Sequence, residues 1–293
     1  MRLIKMTGGL GNQMFIYAFY MRMKARYRHT RIDLSDMMHY RVHNGYELHR
    51  LFPSLPEDEF CMPQKAKKVM EFLLFTTVLE RKQPTDSLRP FLRRRLWPLV
   101  YFKGFYQSER FFADIADDVR RAFLFDERLA GDRTRQLLEL IDADPLAVSI
   151  HVRRGDYLEP RTWRNTGCVC RAEYYRDAVR MMEQQLGAKP HYYVFSDDIA
   201  WVNENLPLGN ATYVSWNVKQ DAWQDMMLMS RCRHHIICNS TFSWWGAWLN
   251  SRRDKVVVAP DRWFARTEAP HILPAGWLRV PVSIPDEVLN ACN

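Results

Sequence analysis

The most legible pattern in the chain is the alternation, from residue 146 on, of short apolar runs with longer stretches of helical period. The order is LAVSIHV, AEYYRDAVRMMEQQL, HYYVFS, DDIAWVNENL, TYVSW, AWQDMMLMSRC, HIICN, TFSWWGAWLN and KVVVAP. Strand and helix in turn predict an open parallel sheet. The strands lack polar alternation, which predicts burial on both faces. The chain opens in the same way: RLIKM reads as a strand and TGGLGNQMFIYAFYMRMKARY as a glycine-rich turn running into a helix. Helical patterns occur again at 63–80 and 108–123. The reading is an α/β protein of two domains, 1–145 and 146–293.

In open α/β sheets ligands gather outside the carboxyl ends of the strands, so the residues just after each apolar run carry the candidate chemistry. After the first run of the second half come Arg153, Arg154 and Asp156, and after the second Ser196, Asp197 and Asp198. Asn239, Ser240 and Thr241 come after the fourth, and Asp261, Arg262 and Trp263 after the fifth. The doubled arginine cannot be buried within a strand, because adjacent strand residues point to opposite faces. It belongs where the strand has just ended. Each group alone has a plain structural reading as a turn residue, a helix cap or a solvated pair; together they outline a site for a diphosphate. Ser240 and Thr241 open a helix whose first-turn amides and dipole favour an anion. An arginine adds a bidentate clamp on phosphate oxygens. Asp197 or Asp198, acceptors only when ionised, can take the ring N–H and amino group of guanine. The result is a nucleotide pocket without a P-loop. GGLG near the amino terminus lacks the GxGxxG spacing of a dinucleotide fingerprint.

Composition narrows the partners. The 293 residues are 47% hydrophobic and 13% aromatic, enough for well-filled cores. A net charge of +8 with a pI near 9.2 favours an anionic partner such as a nucleotide phosphate, a nucleic acid or a membrane surface. The basic run RPFLRRRLWP at 89–98 reads as a solvated face or an acidic-partner contact. The first apolar stretch is soon broken by glycine and does not resemble a signal peptide. FLLFTTVL at 72–79 is far too short to span a bilayer. The expectation is a cytoplasmic protein, with peripheral contact to the inner face of the membrane compatible with its charge. The six cysteines show no CxxC pair, which argues against structural zinc and a disulfide framework. The pair His234 and His235 reads as a strand entrance. DAD at 142–144 has the composition of a metal-holding Asp-x-Asp, but it precedes Pro145 and the first strand of the second half. That places it at the amino end of the strand, away from the proposed site, so no metal ligand is assigned.

GGLGNQMF at 8–15, HVRRGDY at 151–157, FSDD at 195–198 and NSTFSWWGAWLN at 239–250 together resemble the α-1,2-fucosyltransferase family in its compact bacterial form. The resemblance runs from the first strand to about residue 264. It implies a GT-B architecture of two Rossmann-like domains facing across a cleft, 1–145 on the acceptor side and 146–293 binding GDP-fucose with a C-terminal tail that can pack back on the first domain. It also implies GDP-fucose as donor, a galactose-terminated acceptor, and inversion at the anomeric carbon with neither metal nor cofactor. On that resemblance Arg154 clamps the β-phosphate, with His151 and Arg153 shaping the same pocket. Asp156 holds the loop or lies near the reacting sugar, and Asp197 or Asp198 reads guanine. Asn239, Ser240, Thr241 and Phe242 line the diphosphate side, while Gly11, Asn12 and Gln13 approach from the other domain, Asn12 facing the phosphates and the reaction centre as a catalytic residue. Asp156 and Glu159 are the candidates for the base that takes the acceptor proton. LEPRTWRNTGCVCR at 158–171 fits no motif and is a place for acceptor specificity.

Two other classes compete. A basic nucleic-acid-binding protein fits the charge, but 34 acidic residues are interspersed with the basic ones and no RNA-binding motif is visible. A glycan-binding module fits the ten tryptophans. Trp244 and Trp248 share one helix face with Trp245 offset, which reads as core packing.

Overall fold

The computed structural model describes residues 1–39, 44–56, 59–61, 63, 69, 77–79 and 100–290. It comprises two compact units, Met1–Asp126 and Glu127–Asn293.

The first unit is built on a parallel sheet of order β3-β2-β1-β5-β4, formed by β1 (Arg2–Lys5), β2 (Thr30–Asp33), β3 (Glu59–Phe60), β4 (Thr77–Leu79) and β5 (Val100–Lys103). The helix Leu10–Arg26 comes directly after β1 and buries Phe15, Ile16, Phe19 and Tyr20 against the sheet and its neighbours. Phe19 stacks on Tyr106 with ring centroids 3.9 Å apart. Most of the helical pattern at 63–80 and all of the basic run at 89–98 lie outside the described residues. Thr77–Leu79 is strand, not helix, and pairs with β5 from Thr77 opposite Tyr101 to Leu79 opposite Lys103. At 108–123 the chain forms two single 3₁₀ turns and then the helix Ala116–Ala122.

The second unit carries a six-stranded parallel sheet of order β11-β10-β9-β6-β7-β8. Its strands are β6 (Ala147–Val152), β7 (His191–Ser196), β8 (Ala211–Val214), β9 (His234–Ile236), β10 (Val257–Pro260) and β11 (Leu278–Val280). Every residue of β6 is buried, as its apolar run predicts. The chain starts at β6, builds outward through β7 to β8, and then crosses to β9 and builds the other way. The strand order therefore reverses between β6 and β9, and the loops leaving those two strands flank the crevice where ligands bind in such sheets. The helix Ala172–Leu186 ends on Gly187, whose φ of 62° is the left-handed conformation that closes a helix. The helix Thr241–Leu249 is buried on nearly every side. Trp244 stacks on Trp248 with centroids 5.9 Å apart and meets Trp245 edge-on at 5.1 Å, so these tryptophans are core.

Dividing the chain at 145/146 assigns the helix Asp132–Ala143 to the first half. Its packing is with the second unit, where Thr134 donates to Asn217 at 3.0 Å and Asp142 pairs with Arg231 on the helix Trp223–Arg231. Asp144 closes the Asp132–Ala143 helix, accepting from Leu146 N at 2.9 Å and from the Tyr193 hydroxyl at 3.2 Å. The DAD segment thus sits at the amino end of β6. Among the described residues no helix is long and apolar enough to cross a membrane, and the five cysteines there are free thiols.

Candidate active site

β6 ends at Val152, and the two arginines beyond it diverge. Arg153 Nε donates to Asp156 Oδ1 at 2.8 Å, its NH2 lies 2.7 Å from the same oxygen, and its NH1 is 3.2 Å from Asp197 Oδ2. All three of its nitrogens are therefore engaged. Arg154 donates its backbone N–H to Asp197 Oδ1 at 2.8 Å and its Nε to Asp198 Oδ2 at 2.9 Å, and its guanidinium lies over the Trp201 ring at 4.2 Å. Its two terminal nitrogens have no partner among the described residues. Asp198 also caps the helix Ile199–Asn205 by accepting from Trp201 N at 3.0 Å. That amide first, and Arg154 second, hold its carboxyl below the ordinary range. The FSDD carboxylates thus brace the arginine loop while each keeps spare lone pairs.

Gly155 makes this bracing possible. A Cβ at that position meets Asp197 Oδ2 at 2.8 Å, closer than a carbon tolerates. Asp156 is tied to Arg153, whereas Glu159, one turn further on, is exposed and has no ion pair among the described residues.

His151, the penultimate residue of β6, is buried with Nδ1 3.2 Å from Cys238 Sγ and its ring 5.7 Å from that of Phe242. Burial chiefly, and Arg153 next, push its pKa down to about 4, while burial pushes the Cys238 thiol up to about 11. At neutral pH both are uncharged, so His151 adds no positive charge to the pocket. Ser240 caps the helix Thr241–Leu249 by accepting from Phe242 N at 3.3 Å. This helix follows β9, which pairs with β6 at the strand-order reversal, and its amino end has the polarity that suits an anion. Asn239 faces inward: its Nδ2 donates to the carbonyls of Thr166 and Trp263, each at 2.9 Å, and its backbone carbonyl accepts from the Tyr157 hydroxyl at 3.0 Å. It fastens three loops together rather than presenting its amide nitrogen to a ligand.

In the first unit, Gly8 takes a φ of 87°, and Asn12 accepts from Gln107 Nε2 at 2.7 Å. Gln13, fully buried, donates to the carbonyls of Gly8 at 2.9 Å and Gly45 at 2.7 Å and accepts from Glu47 N at 3.0 Å. Expected among the donor contacts, it instead anchors the GGLGNQ turn from within. Gly11 is buried in the first turn of its helix.

Sequence reasoning passed over Trp201, Tyr157 and Gly167. Trp201 stands three residues after the capping Asp198, the spacing at which a cap meets its amide. Gly167 ends a π-turn over Trp163–Gly167, and a Cβ there falls 2.0 Å from the Tyr157 carbonyl oxygen.

Two parallel α/β units and a clamp-and-helix site at a strand-order reversal define a glycosyltransferase of the GT-B class. Fucosyltransferase NodZ from Bradyrhizobium has this fold at a TM-score of 0.53, with 14% identity over 84% of this chain and 90% of that one. Residues 91–277 match Glycosyl transferase family 11, and the chain belongs to that family. An α-1,2-colitosyltransferase of Escherichia coli is 29% identical over 287 residues, 94% of this chain and 97% of the relative. The O-antigen biosynthesis glycosyltransferase WbnK of the same organism is 30% identical over 94% of this chain and 99% of its own length. Human galactoside α-(1,2)-fucosyltransferase 1 is 30% identical over 59% of this chain and 50% of its own.

Proposed function

We propose that this glycosyltransferase moves L-fucose, or a deoxy relative of it, from a GDP-linked donor to the 2-hydroxyl of a terminal β-galactoside, with inversion and without a metal, in the synthesis of a surface glycan. The observation that carries the reading is Arg154. Its guanidinium is fixed by Asp198 and Trp201, and its terminal N–H groups have no partner among the described residues, while the Ser240-capped helix starts after β9, the strand that pairs with β6 on its other side. Fixed donors aimed at a leaving diphosphate stabilise the charge that develops as the glycosidic bond breaks. Asp197 and Asp198 keep lone pairs for the guanine edge. Glu159, with no ion pair among the described residues, stands better placed than Asp156 to accept the acceptor proton. The relatives named for α-1,2-colitosyl and galactoside α-(1,2)-fucosyl transfer support both the linkage and the acceptor.

The colitosyltransferase also favours a second donor, since colitose is a fucose lacking the 3-hydroxyl. The test supplies GDP-fucose and GDP-colitose separately, with lactose as acceptor and excess EDTA present, and reads the product linkage by NMR. An α-1,2-linked product formed in chelator is expected, and the donor with the higher kcat/KM settles the sugar. Activity lost in EDTA and restored by manganese rejects the metal-free mechanism; a product linked at another hydroxyl rejects the regiochemistry.

A further inference from the structure

The segment between Tyr157 and Gly167 separates two concavities on the second unit. One, of about 240 Å³, is lined by Arg153, Arg154, Trp201, Glu173, Leu158 and Trp163. The other is an open groove of about 520 Å³ lined by Leu158, Pro160, Trp163, Arg164, Glu287 and Val288. That volume lies in the ~300–1,000 Å³ range of small-molecule sites. Leu158 and Trp163 border both, so the groove adjoins, across this one segment, the side of the site that holds the arginines.

Three features fit the groove to a saccharide. Trp163 packs part of its surface on Cys168, Val169, Ala265 and Val288 and is half-buried, so it presents a rigid aromatic wall. Arg164 and Glu287, one donor and one acceptor side chain, have no hydrogen-bond or ion-pair partner among the described residues, which leaves both open to hydroxyl groups. The wall is also held firmly. Gly167 is sealed against the Tyr157 carbonyl, Asn239 holds the Thr166 carbonyl, and Ala265 N donates to Asn165 O at 2.8 Å. An apolar face with a few convergent polar groups is how protein sites take amphipathic small molecules.

We propose that this groove is the acceptor subsite, with Trp163 as the platform for the apolar face of the acceptor sugar and Arg164 and Glu287 as its hydrogen-bonding rim. The assignment rests on the galactoside-transfer reading. It stems from the shared wall of the two concavities, because the acceptor must abut the donor it attacks.

The test measures lactose affinity by saturation-transfer NMR with the protein saturated in GDP, GDP affinity by calorimetry, and the lactose KM wherever transfer is seen. Trp163→Ala is expected to weaken lactose tenfold or more and GDP less than twofold, while Trp163→Phe keeps most of the affinity. Arg164→Ala and Glu287→Gln, both exposed, are each expected to weaken lactose several-fold, and they decide the matter if Trp163→Ala does not fold. Lactose affinity within twofold of the parent in all these variants overturns the subsite, as does an equal loss of GDP affinity in Trp163→Ala. If the parent transfers no GDP-sugar to lactose, the functional reading fails, and the binding arm still decides the subsite. Lactose bound by the parent and lost in Trp163→Ala sustains it, and no binding to the parent rejects it.

Discussion

Adjacent arginines of identical chemistry have separate roles here because successive residues leave a strand end on opposite sides. Arg153 has all three nitrogens on Asp156 and Asp197 and closes the loop on itself. Among the described residues Arg154 uses only Nε and its backbone N–H for hydrogen bonds and offers its planar fork outward. A lysine at 154 keeps the charge but loses both the fork and the flat contact with Trp201. Arg154→Lys is therefore expected to lose on the order of tenfold or more in kcat/KM, about 1.4 kcal/mol or more, with part of the loss in kcat. Arg153→Lys is expected to be milder in catalysis and to lower the thermal midpoint. Steady-state kinetics and calorimetric melting of the two purified variants check the assignment; parent-like kcat/KM in Arg154→Lys reverses it.

Among the elements, the sheet of the second unit was readable because strands buried on both faces leave continuous apolar runs. The run HYYVFS is β7 residue for residue, and AEYYRDAVRMMEQQL is its preceding helix. The carboxyl-edge residues were readable for the same reason: placing a strand also places the residues just beyond its end. β2, β3 and β11 escaped because four residues or fewer, carrying Arg31, Glu59 or Arg279, show neither a run nor an alternation. The loop contacts escaped because Gln13 to Gly45, Tyr157 to Asn239 and Asn239 to Trp263 join residues far apart in the chain. The π-turn Trp163–Gly167 leaves no periodic trace, yet its geometry is testable through one glycine. Gly167→Ala drives a methyl into the Tyr157 carbonyl and must displace backbone. It is expected to destabilise the unit by several kcal/mol, in the range of the severe point mutants, and to admit protease between 157 and 167. A melting curve and a limited digest matching the parent's dismiss the constraint.

At the scale of the whole molecule, a buried histidine and a half-buried aspartate make stability depend on pH in opposite senses. His151 titrates near 4 when folded against 6.5 when exposed. The unfolded chain therefore gains its proton first on acidification, and stability falls as pH drops from about 6.5 through 4. Asp225, accepting from Asn217 Nδ2 at 2.8 Å, is raised by burial to about 7 from an ordinary 3.8. Its contribution is fully present below 3.8 and is lost as pH rises through 7. Asp225→Asn is expected to raise the thermal midpoint by several degrees at a pH one unit above that value, with the gain vanishing well below it. An equal shift at both ends contradicts the titration. The tryptophan distribution has a consequence for how any such melt is watched. Nine of the ten tryptophans lie in Glu127–Asn293, and Trp97 is the one in the other unit. Indole emission is therefore a nearly one-sided signal, nine parts in ten from Glu127–Asn293 by number of indoles, whereas far-ultraviolet dichroism sees both units. If the two units melt in separate steps, the optical traces will part company, and the gap between them will time the unit that carries almost no lamp.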